Sequence, residues 1–442
     1  MTNRTFRRKL ARSYISPLVL LTIPCTAWSA TNTELEERIR QLEAIVQQLG
    51  GQVTQQEETL ETIKVVKDEE KAEVGATKLQ SGMGAGTTVT FGGYVKTDAI
   101  YSDYSDGDLA AGSNGRDFYI PSTIPVGGED EDPDLDMHAK ESRFFLKTDT
   151  DIGGSKLTSY FEMDFLLPPG GNERVSNSYN PRLRHAFIKY DGWLLGQTWS
   201  TFQDVGALAE NLDFVGPAEG TVFERQPQIR YTQGPWQLAL ENPESTITPF
   251  GGGDRIVTDD NGLPDIVVRY THTQDWGWLT AAALARQLSV EDSATNIDDD
   301  ETSFGISVSG KILFGKDDLR FMVTGGTGLG RYVGLNVANG AVLDANGDLE
   351  AIDSLSGFVS YRHFWSEQWR SNLTLSTFSA DNDDDLTGGG ATKEAQSVHV
   401  NLLFSPNPKF TVGVEYMIAT RENEAGDDGD LNRLQFSGKY AF

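Results

Sequence analysis

Thiols are almost missing from this chain. Its one cysteine, Cys25, falls in a segment built like a secretion signal: Arg4, Arg7, Arg8, Lys9 and Arg12 form a basic start, Ile15 to Ile23 an apolar run, and Ala27-Trp28-Ser29-Ala30 a small-residue cleavage site. The run is too short to cross a bilayer, and Pro24 makes a poor neighbour for a lipidated cysteine. Residues 1–30 are therefore expected to leave as a signal peptide, and the thiol with them. An exported chain without thiols excludes disulfides, thiolate metal centres and a cysteine nucleophile.

Long apolar runs are missing too. No stretch approaches about eighteen consecutive apolar residues, which excludes a membrane protein built of helices. Positive charge is scarce: 37 Lys and Arg stand against 65 Asp and Glu, a net charge of −28 that becomes −33 once the five signal-peptide cations are gone. Such a chain has no electrostatic footprint for nucleic acid. Histidine is sparse and scattered, as His138, His185, His272, His363 and His399, with no HExxH and no close pair, so metal catalysis has no ligand set. Asp344, Asn346 and Asp348 resemble the start of a calcium loop, but Leu349 stands where that loop needs glycine. The acidic runs at 298–301 and 381–385 read as solvated loop tips that resist aggregation. No serine, histidine and acid are spaced as a hydrolase would need, so no enzyme, cofactor or metal is expected.

What is present falls into three regions. Leu35, Ile39, Leu42, Val46, Leu49, Val53, Gln56, Leu60 and Ile63 follow at alternating steps of four and three among Glu, Gln, Arg and Lys. That heptad seam predicts a coiled-coil helix over 31–66, weakened at Gly50-Gly51. Residues 67–86, polar and then rich in glycine, read as a flexible linker. From 87 to 442, sixteen segments of mostly about ten residues alternate apolar and polar side chains, the length and period of strands that cross a membrane at a tilt. Their connections alternate between short turns, such as Asp191-Gly192 and Gln233-Gly234-Pro235, and long acidic loops, such as 103–137, 290–302 and 330–353. The expected fold is an all-β transmembrane β-barrel of sixteen antiparallel strands, preceded by the coiled-coil helix.

The alternation assigns faces. Val398, Val400, Leu402 and Phe404, then Phe410, Val412, Val414, Tyr416 and Ile418, should face lipid or a neighbouring subunit. Arg143, Lys147, Arg230, Arg269, Arg320 and Arg370 each oppose apolar neighbours, and an arginine in a membrane strand is most cheaply placed in a wet lumen. Fixed positive charge there favours anions, and guanidinium forks fit carboxylates. The alternative is that these arginines pair with lumen carboxylates such as Glu162, Asp164 and Glu415 and select nothing. The register of Arg182 and Arg184 is ambiguous from the pattern, which leaves a role at the pore mouth open. The connection 201–220 is unlike the other loops, being rich in apolar residues (Phe202, Val205, Leu208, Leu212, Phe214, Val215). We expect it to fold into the barrel as a constriction, with a subunit contact as the rival.

Several stretches carry a resemblance: residues 35–49, Phe91-Gly92-Gly93-Tyr94-Val95-Lys96-Thr97-Asp98, Phe118-Tyr119-Ile120-Pro121-Ser122-Thr123, Arg182-Leu183-Arg184-His185-Ala186, Leu195-Gly196-Gln197-Thr198-Trp199, and Leu212-Asp213-Phe214-Val215-Gly216-Pro217 leading to Arg225-Gln226-Pro227-Gln228-Ile229-Arg230-Tyr231. In these the chain resembles the DcaP-like family of outer-membrane porins. The resemblance implies a homotrimer of sixteen-stranded barrels in the bacterial outer membrane, a helical extension on the periplasmic side, and passage of small organic anions such as dicarboxylates selected by basic residues at the constriction. On that basis Arg182, Arg184 and Arg225 join Arg143, Arg230, Arg269, Arg320 and Arg370 as candidate pore-lining residues. The competing function is an envelope tether, in which the barrel only anchors a periplasmic coiled coil that contacts the cell wall.

Overall fold

A computed structural model describes residues 77–80, 86–166, 171–172, 178–295 and 297–442. The expected signal peptide and heptad seam lie outside these residues. Among them, sixteen strands form a closed antiparallel wall: β1 (Thr87–Tyr104), β2 (Arg143–Ile152), β3 (Ser155–Asp164), β4 (Arg182–Tyr190), β5 (Trp193–Trp199), β6 (Arg225–Gln233), β7 (Trp236–Glu241), β8 (Asp265–Gln274), β9 (Gly277–Asp292), β10 (Ile297–Phe314), β11 (Asp317–Thr327), β12 (Asp353–Phe364), β13 (Trp369–Asp381), β14 (Thr392–Asn407), β15 (Phe410–Asn423) and β16 (Asp428–Ala441). Each pairs with its sequence neighbour. The ring closes where residues 94–104 of β1 meet residues 431–441 of β16. A short segment, Asp134–His138, runs along β1 ahead of β2 and continues its ladder.

Local chemistry explains the short connections. At Asp191-Gly192 both residues adopt positive φ, +48° and +83°, between the paired Tyr190 and Trp193. This is the primed two-residue turn whose twist matches that of the flanking strands, and Asp and Gly tolerate it best. Two connections read from sequence as long loops are instead extended hairpins. β9 runs on to Asp292 and β10 begins at Ile297, with the pairing unbroken from Asp292–Ile297 down to Gly277–Ile312; β15 and β16 extend likewise to Glu422–Asp428. The acidic run Asp298 to Glu301 sits on paired backbone. The stretch read as a linker also holds structure, because Thr77–Gln80 is a strand paired with residues 88–91 of β1.

The outward face is apolar. Val398, Val400, Leu402, Phe410, Tyr416 and Ile418 all project from the wall, as the alternation required. At the turn end the outward side chains become aromatic: Trp193, Trp236, Trp365, Trp369 and Tyr440 are exposed, and the pairs Trp193–Tyr231, Trp236–Tyr270 and Trp369–Phe404 lie with centroids 4.6 to 4.7 Å apart. Amphipathic rings concentrate where hydrocarbon gives way to headgroups. The core, by contrast, lies inside the barrel. Phe202, Tyr332, Val333 and Val337 pack on Ala239, Val267, Ala282 and Leu284, while Phe118, Tyr119, Ile124, Val215 and Ala218 pack on Met417, Ala419 and Leu431. Three connections, 105–133, 201–224 and 328–340, thus contribute buried side chains to the interior. A four-stranded sheet of loop segments (Ile256–Thr258, Ser245–Thr248, Ala341–Leu343, Leu349–Ala351) covers Leu288 and Val290 of β9.

Candidate pore constriction

The connection 201–224 leaves β5 and runs across the lumen to the opposite wall. Its first turn, Val205–Ala207, is capped by Asp204, whose carboxylate accepts from the Gly206 N–H at 3.2 Å. The same carboxylate accepts from Trp278 Nε1 at 3.2 Å, Ser309 Oγ at 3.0 Å and Arg269 Nη2 at 3.2 Å. Further along, the Leu208 carbonyl accepts from Arg320 Nη1 at 2.6 Å. Glu210 takes a two-pronged bond from Arg370, at 3.0 and 2.8 Å, and a third from Arg362 Nη1 at 2.7 Å. Beyond that the Leu212 N–H donates to Glu415 at 2.8 Å. A second turn, Ala218–Gly220, lodges against β12 and β13 so closely that a Cβ on Gly220 would lie 2.4 Å from the Gly357 carbonyl oxygen. Of the apolar residues that set this loop apart in sequence, Phe202, Phe214 and Val215 join the interior cores.

Seven of the eight candidate arginines fall into two groups, and Arg230 stands apart. Arg143, Arg182, Arg184 and Arg225 gather around Phe214 and Trp199. The guanidiniums of Arg143, Arg182 and Arg184 lie 6.0, 5.7 and 5.6 Å from the Phe214 ring, and Arg225 lies 4.4 Å from Trp199 and 5.5 Å from Phe223. Such ring faces attract cations. Carboxylates answer three of the four: Arg182 meets Asp164 in a fork at 2.9 and 2.8 Å, Arg184 bonds Glu162 at 2.7 Å and Asp164 at 3.0 Å, and Arg143 stands 3.6 Å from Glu162. Arg225 has no carboxylate within 4.0 Å among the described residues.

Arg269, Arg320 and Arg370 form the second group, along the near side of the loop, where Asp204, the Leu208 carbonyl and Glu210 receive them. Arg320 also bonds Asp318 at 2.8 Å. Arg230 faces the lumen beside the buried Ala239 and Leu194 and forms no ion pair within 4.0 Å among the described residues. The ambiguity at Arg182 and Arg184 has a physical cause: β4 carries a bulge, with Glu162 opposite His185 and Met163 opposite Leu183, so Arg184 is the extra residue. Two adjacent residues then point inward and the period-two reading breaks. Glu415, expected as an arginine partner, accepts loop donors instead.

Other inward cations were not singled out from sequence. Lys96, Lys311, Arg362 and Lys439 oppose Val95, Ile312, Tyr361 and Tyr440, so the same alternation marks them. Lys439 is exposed to the lumen, 5.2 Å from the Tyr94 ring, and has no ion pair within 4.0 Å among the described residues. At the loop end of the lumen Arg286 and Arg331 converge on Asp265, which accepts from Tyr332 Oη at 2.8 Å. No periodic signal finds that network. Just before β6, Glu224 sits beside Arg225, and burial pushes its carboxyl up to about 7, against the pull of Arg331 and Arg225. Among the described residues no three His, Cys, Asp or Glu side chains are arranged to hold a metal.

A closed sixteen-stranded wall with an inward loop and a charged lining is the architecture of a general channel, and comparison narrows it. Residues 21–442 match the family model described as DcaP outer membrane protein. This chain belongs to the DcaP outer membrane protein family. It is an outer-membrane β-barrel protein. Among solved structures it is similar to the outer membrane channel DcaP of Acinetobacter baumannii, at 24% identity over 84% of this chain and 100% of that one, with a TM-score of 0.68. OmpF of Salmonella typhi, solved in complex with daunomycin, shares the fold at 11% identity, 83% and 100% coverage, and a TM-score of 0.52. No curated protein matches the DcaP-family chain.

Proposed function

We propose that this channel passes small organic anions, dicarboxylates in type, along a lumen whose selectivity comes from cations that carboxylates leave unanswered. The observation that carries the reading is the difference between the inward cations. Arg184, Arg269, Arg320 and Arg370 are held by acids or by the loop, while Arg225, Arg230 and Lys439 have no carboxylate within 4.0 Å among the described residues. A paired guanidinium presents little net field to a passing solute. An unpaired one about 6 Å from an anion is worth about 0.7 to 3 kcal/mol for effective dielectric constants between about 80 and 20, enough for a several-fold permeability preference. Arg143, only 3.6 Å from Glu162 and partly open to the lumen, can still offer its fork to a passing carboxylate. The working unit in this reading is a homotrimer in outer-membrane lipid, with the N-terminal helix in the periplasm.

A planar-bilayer recording of the purified chain under a salt gradient tests it. We expect stepwise conductance with a reversal potential on the anion side. A cation-side potential removes anion selectivity, and a silent barrel that retains cell-wall affinity supports the tether instead.

A further inference from the structure

The backbone of Leu212 is held on both sides of its Cα by three consecutive strands. Its N–H donates to Glu415 Oε2 on β15 at 2.8 Å. Its carbonyl accepts from Lys96 Nζ on β1 at 2.6 Å and from Gln435 Nε2 on β16 at 3.1 Å. The same Glu415 carboxylate accepts from Asn211 Nδ2 at 3.1 Å, from the Asp213 N–H at 3.3 Å and from Asn401 Nδ2 at 2.9 Å, with His399 Nδ1 3.4 Å away. Glu415 is only 2% exposed, and no lysine or arginine pairs with it among the described residues. A buried carboxylate without a cation is costly unless donors saturate it. Three of its donors belong to the loop, so the carboxylate and the loop depend on each other. Lys96 is braced in turn by Glu141 and by Asp98, the latter at 3.4 Å.

Earlier along the loop Asp204 and Glu210 tie it to β8, β12 and β13 through Arg269, Arg362 and Arg370, and Asn401 on β14 bonds both the Glu210 carbonyl and Glu415. The loop is therefore pinned strand by strand along the wall, and at Leu212 the pinning reaches the closure of the barrel, where β15, β16 and β1 all hold one residue. We propose that Glu415 and Lys96 are positioning residues which clamp the two peptide groups flanking Leu212 and so fix the aperture left beside the loop. The consequence for permeation rests on the channel reading above, whereas the clamp itself can be measured without it.

The test is amide hydrogen exchange on the full chain in detergent micelles, comparing the wild type with Glu415→Gln, Lys96→Met and Lys96→Arg. Glutamine keeps the volume but can accept far fewer bonds, and methionine removes the donor that arginine retains. We expect exchange at 208–213 to rise about tenfold in Glu415→Gln and Lys96→Met, equivalent to about 1.4 kcal/mol, with Lys96→Arg close to the wild type and the wall strands unchanged. In bilayers the two loosened variants should show more frequent closures. If Glu415→Gln does not fold, Gln435→Leu, which removes a donor from the same carbonyl, takes its place with the same expectation. Loop amides that exchange at the wild-type rate in a folded variant overturn the clamp, as does a rise spread equally over the wall. A silent wild-type barrel whose loop amides respond sinks the channel reading and leaves the clamp standing.

Discussion

Two arginines of one lumen illustrate how differently a single residue type can be used. Arg184 is 2% exposed and bonds both Glu162 and Asp164, so Arg184→Gln leaves two buried acids short of a partner. It should lower stability against urea in vesicles by about 3 kcal/mol or more without moving the reversal potential. Arg230→Gln combined with Lys439→Gln should do the reverse, moving the reversal potential towards cations while the urea midpoint stays within experimental spread. Glu224 supplies a pH dependence. Because its folded carboxyl is raised to about 7 by burial, above the unfolded value, the folded chain holds the proton more tightly. The contribution of Glu224 to stability is therefore fully present below about pH 4.5 and is lost as pH rises through about 7. Over the same upper range a negative charge appears beside Arg225, so anion preference should weaken between about pH 6 and pH 8, and Glu224→Gln should flatten that profile. Facing was legible from the sequence at this scale, since Arg143, Arg230, Arg269, Arg320 and Arg370 all point inward. Partners were not, because Asp204 and Glu210 meet their arginines only after a loop has crossed the barrel.

Among the elements, the inward loop decides most of what lies in the lumen. Its second turn tolerates no added volume at Gly220, where a methyl would meet the Gly357 carbonyl and Ser376 Oγ at 2.4 and 2.5 Å. Gly220→Ala should cost about 1 to 3 kcal/mol and release the turn, visible as protease cleavage within 201–224 that the wild type resists. The composition of this loop announced that it must pack on something. The connections 105–133 and 328–340 gave a weaker signal, because short apolar groups such as Tyr119-Ile120 and Tyr332-Val333 are embedded in polar sequence. Their counterpart lies in the wall: Leu284, Leu288 and Val290 of β9 face inward, and an apolar residue on the lumen side is the trace of a loop packed against it. The bulge at Arg184 was beyond pattern reading, since one extra residue inverts the alternation without changing the composition.

For the molecule as a whole, strand number and loop alternation could be read because a membrane imposes a strict period and a fixed span. The net charge of −28 makes a separate claim. Acidic loops act on an approaching anion over a Debye length of about 30 Å at 0.01 M salt, but over only about 3 Å at 1 M. The unpaired lumen cations act at contact range under both conditions. The ratio of anion to cation permeability should therefore rise with ionic strength; a ratio that falls would place the selecting charges at long range. Closure of the wall brings a further consequence. β1 shares its outer edge between β16, along residues 94–104, and the short strand Thr77–Gln80, which takes residues 88–91 below the point where β16 ends. The joint between first and last strands is the one most remote in sequence, and the extra strand, which pairs with β1 alone, covers the edge of β1 that β16 leaves open. The direct ladder between residues 94–104 and 431–441 is what keeps the cylinder from parting sideways into the bilayer, so whatever enters it must travel end to end.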